Sequence, residues 1–291
     1  MAGRSPIPEA ELQWGRFSSP EHRQRRAVLA DSLARLEGGG RARLQALAAQ
    51  NLARWTAAAG PPAPGRGLEL RVVGDDWGVA ALRLTRETGV CHAVLNMANA
   101  WLPGGRYVEG TSAQEENLFR RTDCALSIDE AVWDPATDRY RPALTALLLA
   151  AEGRVLLDTA SPRVCFRGPE ERAAPELGYA LLPDDEVFPF YELRAAALNG
   201  NREPFDPVEA RRRIAAQRDT LRAAGVRHAV LSAFGCGAFL NPPEVVARLY
   251  REVFEEDDGG LQRVTFAIFD PGRPTGNRAA FAEAFKGFGQ G

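Results

Sequence analysis

Three short apolar runs, each leading through turn residues into a helical pattern, most constrain what this chain can become. Cys91 to Leu95, Ala229-Val230-Leu231 and Val264 to Phe269 read as buried strands. Leu68, Leu70 and Val72 alternate with Glu69 and Arg71 as a further strand, and Gly74-Asp75-Asp76 then caps an Ala/Leu-rich helix. Val155-Leu156-Leu157 and Val164-Cys165-Phe166 add two short strands around Ser161-Pro162. Residues 207–224 form a charged amphipathic helix, Asn241-Pro242-Pro243 opens another through Phe254, and a last helix covers roughly residues 276–286. Strands alternating with helices predict an α/β sandwich whose ligand crevice lies beyond the strand ends.

Two helices precede this alternation. Ser18-Ser19-Pro20 supplies a cap and a first-turn proline, after which Val28, Leu29, Leu33 and Leu36 recur at helical spacing until Gly38-Gly39-Gly40. The second carries Leu44, Leu47, Ala48, Leu52 and Trp55 on one face. The linker Gly60-Pro61-Pro62-Ala63-Pro64-Gly65 then divides a helical extension, residues 1–60, from a main domain, residues 66–291.

Charge and cysteine usage exclude several function classes. The 36 basic and 38 acidic residues leave a formal net charge of −2, so no overall field recruits DNA or an anionic membrane. Arg211-Arg212-Arg213 reads as a solvated helix face. Cys91, Cys124, Cys165 and Cys236 are widely spaced, without a CxxC pair or a nearby histidine, which argues against a zinc site and a disulfide framework. Glu9 and Glu11 stand before any apolar run, and nothing approaches eighteen consecutive apolar residues. The expectation is a cytoplasmic protein with reduced thiols, no metal and no cofactor.

Two loops carry the chemistry. Asn96-Met97-Ala98-Asn99-Ala100-Trp101-Leu102-Pro103-Gly104-Gly105-Arg106 leaves the strand ending at Leu95 and runs on to Gln114-Glu115-Glu116 at a helix start. Glycines let backbone N–H groups approach a phosphate, and carboxylates close behind can move protons at a sugar. Ser232-Ala233-Phe234-Gly235-Cys236-Gly237-Ala238-Phe239 likewise follows a buried strand and precedes a helix, whose N-terminus at Asn241 can stabilise an anion. A diphosphate needs donors from both sides, and two such loops supply them. Neither matches GxGxxG or GxxxxGK[ST], which discounts a Rossmann cofactor and a P-loop. Cys236 reads as a packing residue, Asp75-Asp76 as a helix cap, and His22, His92 and His228 have no partner pattern.

This pair of loops resembles the macrodomain of poly(ADP-ribose) glycohydrolases of the compact bacterial type. That family's signature is three glycines, a short spacer and Gln-Glu-Glu. Here Gly104-Gly105-Arg106 is followed by the seven residues Tyr107 to Ala113 and then Gln114-Glu115-Glu116. Asn96-Met97-Ala98-Asn99-Ala100 is similar to the family's approach to the glycines. Phe234-Gly235-Cys236-Gly237-Ala238-Phe239-Leu240-Asn241 is similar to its second phosphate loop, and Ser161 to Arg167 to its central strand region. The resemblance spans roughly residues 66–286. It implies a macrodomain-like three-layer α/β/α sandwich with a mixed central sheet and a helical N-terminal extension. The third glycine is Arg106, whose side chain either crowds the loop or pairs with phosphate oxygens.

The activity so implied is hydrolysis that releases ADP-ribose from poly(ADP-ribose) or ADP-ribosylated protein. Alternatives are a mono(ADP-ribosyl)-protein hydrolase of distinct linkage specificity and a non-catalytic ADP-ribose-binding module. The resemblance assigns Glu116 as acid/base and Glu115 as anchor of the distal ribose hydroxyls. It also implies substrate contacts at Asn99, Gly104, Gly105, Arg106, Gln114, Gly235, Cys236, Gly237, Ala238 and Phe239, Asn99 being preferred to Asn96 at the ribose. Neighbours on a helix point about 100° apart, so the two glutamates are expected to divide labour rather than couple. Desolvation and a second carboxylate would raise the pKa of Glu116, whereas a helix N-terminus would lower it.

Overall fold

A computed structural model describes residues 17–60, 67–270 and 275–289. Helices α1 (Pro20–Leu36) and α2 (Gly40–Ala59) come first, followed by β1 (Glu69–Val73), α3 (Trp77–Thr88) and β2 (Ala93–Met97). Then come α4 (Gln114–Arg121), the hairpin β3 (Trp133–Asp134) and β4 (Arg139–Tyr140), and α5 (Pro142–Leu148). Strands β5 (Leu156–Leu157), β6 (Arg163–Cys165) and β7 (Phe188–Ala195) lead to α6 (Pro207–Ala223) and β8 (His228–Leu231). The chain continues through α7 (Pro243–Glu256), β9 (Arg263–Ala267) and α8 (Asn277–Ala284).

Seven strands form the main sheet, in the order β1-β9-β8-β2-β7-β5, with β6 also on β7. Strands β1, β9, β8, β2 and β7 are parallel, so their C-terminal ends lie along one edge. Strands β5 and β6 run antiparallel to β7, which makes the sheet mixed. Residues alternate between two cores, as strand geometry requires. Leu95, Leu231 and Phe266 face α6, α7 and α8 with Ile214, Val246, Tyr250 and Phe281. Val94 and Val230 face the opposite layer with Leu84, Leu118 and Leu148. This is a mixed α/β fold with helices on both faces of a mostly parallel sheet.

The N-terminal helices share that second core. Leu29 and Trp55 are buried in it. Ser32 Oγ donates to the Arg120 carbonyl at 2.7 Å, and Asn51 Nδ2 donates to the carbonyls of Asp184 and Val187, each at 2.8 Å. The expected helix cap on α1 is present, with Ser19 Oγ accepting from the His22 N–H. The linker read at residues 60–65 lies outside the described residues except for Gly60. Among the described residues no helix is long and apolar enough to cross a membrane.

Candidate active site

The site begins where β2 and β8 part. Their pairing covers only Ala93–Val94 and Ala229–Val230, whereas β2 stays paired with β7 as far as Met97. Gln114 closes the freed edge of β2. Its Oε1 accepts from the Met97 N–H at 3.0 Å, and its Nε2 donates to the Leu95 carbonyl at 2.8 Å. The first residue of α4 is thereby tied to the strand, which fixes where the next two side chains emerge. Helix α4 belongs to one layer and α7, which follows β8, to the other. Connections that leave adjacent parallel strands for opposite faces open a crevice between them.

Glu115 and Glu116 both end against Gly105. That glycine has φ +61°, and a Cβ placed on it would lie 2.5 Å from Glu116 Oε1 and 3.0 Å from Glu115 Oε2. A Cβ placed on Gly104, which has φ +65°, would lie 2.7 Å from the rings of Phe119 and Tyr107. Glu116 Oε1 accepts from the Arg106 N–H at 3.0 Å and from Thr111 Oγ1 at 3.1 Å. Glu115 Oε2 accepts from the Asn99 N–H at 2.8 Å, and its Oε1 is buried without a hydrogen-bond partner among the described residues.

Burial, and next the charge of Glu116, push the Glu115 carboxyl well above the ordinary range, against the pull of the Asn99 N–H and Arg194. The Glu115 carboxyl therefore feels the charge of its neighbour. Their backbone directions diverge, but the glycine turn folds over both.

Arg106 has φ −104°, a conformation open to any residue, so the third position of the turn does not need glycine here. Its guanidinium turns away from the carboxylates. It pairs with Glu109 at 2.8 and 2.9 Å and lies 5.5 Å from the centre of the Phe17 ring. What Arg106 offers Glu116 is its backbone N–H. Asn99 Oδ1 accepts from the N–H groups of Trp101 and Leu102, each at 2.9 Å, and shapes the loop from within.

Beneath the turn lies a polar network that sequence reasoning missed. Arg194 and Glu192, on β7, are fully buried and joined by two bonds of 2.8 Å. Asn96 Nδ2 donates to Glu192 at 2.7 Å, and Arg194 donates to Ser127 Oγ at 3.0 Å and to the Tyr140 hydroxyl at 3.1 Å. The same hydroxyl accepts from the Gly104 N–H at 3.3 Å. Burial alone would raise the Glu192 pKa, but Arg194, Arg163 and Asn96 bring it down to about 2. No local pattern marks this cluster, because its members Asn96, Ser127, Tyr140, Arg163 and the β7 pair come from five separate stretches of chain. Asn96 uses its Nδ2 here, and Asn99 meets Glu115 through its backbone N–H.

The second loop follows β8. Gly235, at φ +76°, has its Cβ direction filled by the side chains of Asn241 and Ala197. The loop closes on itself through Cys236 N–H to the Ala233 carbonyl, Leu240 N–H to that of Gly237, and Asn241 N–H to that of Gly235. Among the described residues nothing accepts the N–H groups of Gly237, Ala238 and Phe239. Consecutive free amides of this kind make an anion nest. They replace the helix terminus expected at Asn241, since α7 starts at Pro243 behind Pro242, and neither proline has an N–H. Cys236 is buried, and burial pushes its thiol up to about 12, as expected of a packing residue. Phe239 is half-buried against the core.

The same sheet edge continues to β9 and β1. A cavity of about 400 Å³ there is lined by Val72, Gly74, Asp270 and Arg278, and Phe269 next to it is 51 % exposed. Only the exposed aromatic after a strand could have signalled this from sequence. Asp76 caps α3 through the N–H groups of Gly78 and Val79 and pairs with buried Arg121 at 2.7 Å, as a helix cap should. Among the described residues no group of three His, Cys, Asp or Glu side chains could hold a metal ion.

Fold and site together define a macrodomain-like α/β protein with two glutamates at the mouth of its crevice. Residues 23–142 match the family model of the microbial-type PARG catalytic domain, PARG being poly(ADP-ribose) glycohydrolase. The structure is similar to poly(ADP-ribose) glycohydrolase from Thermomonospora curvata, at 26 % identity and a TM-score of 0.64, covering 91 % of this chain and 100 % of that one. The same enzyme bound to the inhibitor ADP-HPD matches at 25 % identity and a TM-score of 0.63, with the same coverage. The Deinococcus radiodurans enzyme in complex with ADP-ribose matches at 25 % identity and a TM-score of 0.59, covering 84 % of this chain and 96 % of that one. Among curated proteins none matches. Residues 23–142 and the fold as a whole are thus similar to bacterial-type poly(ADP-ribose) glycohydrolases, glycosidase-type hydrolases acting on poly(ADP-ribose).

Proposed function

We propose that this protein hydrolyses the ribose–ribose bond of poly(ADP-ribose) and releases ADP-ribose. The observation that carries this reading is Gly105 seated on both Glu115 and Glu116, with the free amides of Gly237, Ala238 and Phe239 on the loop after the neighbouring strand β8. Adjacent strands are about 4.8 Å apart, so the edge from β2 across β8 and β9 to β1 is roughly 14 Å long. That length suits an extended ADP-ribose. Its distal ribose would lie at Glu116 and its diphosphate between the loops at Gly104, Gly105 and Gly235 to Phe239. The adenosine would reach the cavity beside Phe269.

Glu116 acts as the acid that protonates the leaving oxygen and then as the base that deprotonates water, across an oxocarbenium-like transition state. Thr111 and the Arg106 N–H anchor one of its oxygens and leave little freedom to the other. Glu115, held by the Asn99 N–H, is the residue for the hydroxyls of the distal ribose. Gln114 sets the start of α4, and Phe239 flanks the sugar. ADP-ribosylated protein is the second candidate substrate; DNA and membranes are not partners in this scheme. Four buried free thiols fit a reducing compartment such as the cytoplasm.

Glu116→Gln tests the assignment. Release of ADP-ribose from polymer should fall by about two to four orders of magnitude, the usual worth of a general acid/base, while ADP-ribose still binds. Turnover at the wild-type rate in that variant would reject Glu116 as the acid/base.

A further inference from the structure

We propose that Trp101 and Arg202 form a subsite for the leaving adenosine of poly(ADP-ribose). This rests on the hydrolytic reading above. With the diphosphate lying between the β2 and β8 loops, the distal ribose points its C5 toward β8. The anomeric carbon is on the other side of the ring oxygen, so the leaving group departs toward β7, the opposite neighbour of β2.

The connection after β7 runs back over that end of the crevice. Its Gly200 N–H donates to the Phe239 carbonyl and its Asn201 Nδ2 to the Ala238 carbonyl, each at 2.8 Å, so it is fastened to the second loop. From this strap Arg202 places its guanidinium 5.8 Å from the centre of the Trp101 ring. Trp101 stands directly before a turn closed by the Gly105 N–H on the Leu102 carbonyl at 2.9 Å. The ends of such a turn are less than about 7 Å apart, and the far end, Gly105, is the residue seated on both carboxylates.

The Trp101 indole is 38 % exposed on a loop whose backbone is otherwise pinned by Asn99 and Tyr140. A rigid exposed indole can stack a purine, and an exposed guanidinium beside it can pair with a phosphate. In the polymer the departing oxygen is the 2′-oxygen of an adenosine, so a purine hangs on the same ribose and a phosphate follows. An amino-acid leaving group carries neither. The pair thus favours polymer over mono(ADP-ribosyl)ated protein.

The test measures binding of a fluorescent ADP-ribose oligomer of defined length, and of monomeric ADP-ribose, to Glu116→Gln protein. Trp101→Ala, Trp101→Phe and Arg202→Ala are each added to that background. Trp101→Ala should weaken oligomer binding about tenfold, within the range of one lost base stack, and leave ADP-ribose binding unchanged. Trp101→Phe should retain most of the affinity, and Arg202→Ala should lose less, with a loss that shrinks as salt rises. Unchanged oligomer affinity in Trp101→Ala, or an equal loss for oligomer and monomer, overturns the proposal. Polymer turnover by the wild-type protein, scored in parallel, decides the hydrolytic reading separately.

Discussion

Gly105→Ala is the substitution that most directly probes how the carboxylates are held. The new methyl would stand 2.5 Å from Glu116 Oε1 and 3.0 Å from Glu115 Oε2, where ordinary contact starts near 3.4 Å. Glu116 must therefore retreat by about 1 Å, a displacement of the kind that costs roughly a hundredfold in rate. Retreat also opens the bonds from Thr111 and from the Arg106 N–H, since Arg106 is the next residue in the chain. The φ of +61° adds a backbone cost of about 1–2 kcal/mol for any residue with a Cβ. The expected outcome is a kcat for ADP-ribose release about 100-fold lower, with a melting temperature several degrees lower. Steady-state release from purified polymer and a thermal melt measure both. Gly237→Ala is the stability control, because its methyl would meet nothing within 4 Å. A Gly105→Ala protein with kcat within about threefold of wild type would show that Gly105 does not set the position of the carboxylates.

Two further substitutions separate the roles of the buried acids. Glu115 has a raised pKa, so its contribution to stability is complete below the unfolded value of 4.5 and is lost as pH rises through the folded value. Glu115→Gln should therefore raise the melting temperature at pH 8, with the gain fading as pH falls toward 4.5; a gain independent of pH would contradict the raised pKa of Glu115. Glu192, depressed to about 2, stabilises the fold above its ordinary 4.5 and loses that contribution as pH falls toward 2. Glu192→Gln leaves Arg194 buried beside a neutral partner and should cost about 3–5 kcal/mol at pH 7, with a melt roughly 10 °C lower. An unchanged melt would mean that water or another acid satisfies Arg194.

What could be read from residues alone was what short stretches of backbone decide. The spacing of Leu29, Leu33 and Leu36, the cap at Ser19 and the stop at Gly38 to Gly40 are local properties, and α1 ends at Leu36 as they require. The runs at Ala93, Ala229 and Val264 are apolar on both faces because helices cover both, and they became the centre of the sheet. Glycine followed at fixed spacing by Gln114-Glu115-Glu116 is equally local, which is why the loop that carries the two glutamates was visible before the fold.

Strand β7 was not visible. Glu192 and Arg194 interrupt its apolar run, and Pro189 stands near its start. Pro189 is tolerated because β2 joins β7 only from Tyr191 onward. The charges are tolerated because Asn96, Ser127, Tyr140 and Arg163 arrive from elsewhere to satisfy them. Arg106 was similarly opaque: a missing glycine in the motif, but in the fold an ordinary backbone position whose guanidinium belongs to Glu109 and Phe17.

The sequence by itself thus determined the layering and the loop that carries the acids, since hydrophobic period, caps and glycine freedom act over a few residues. Tertiary structure alone decided that two divergent glutamates meet on Gly105, that a buried ion pair supports the turn beneath them, and that Trp101 faces Arg202. Those depend on which distant groups become neighbours, and burial makes such neighbours decisive for charge.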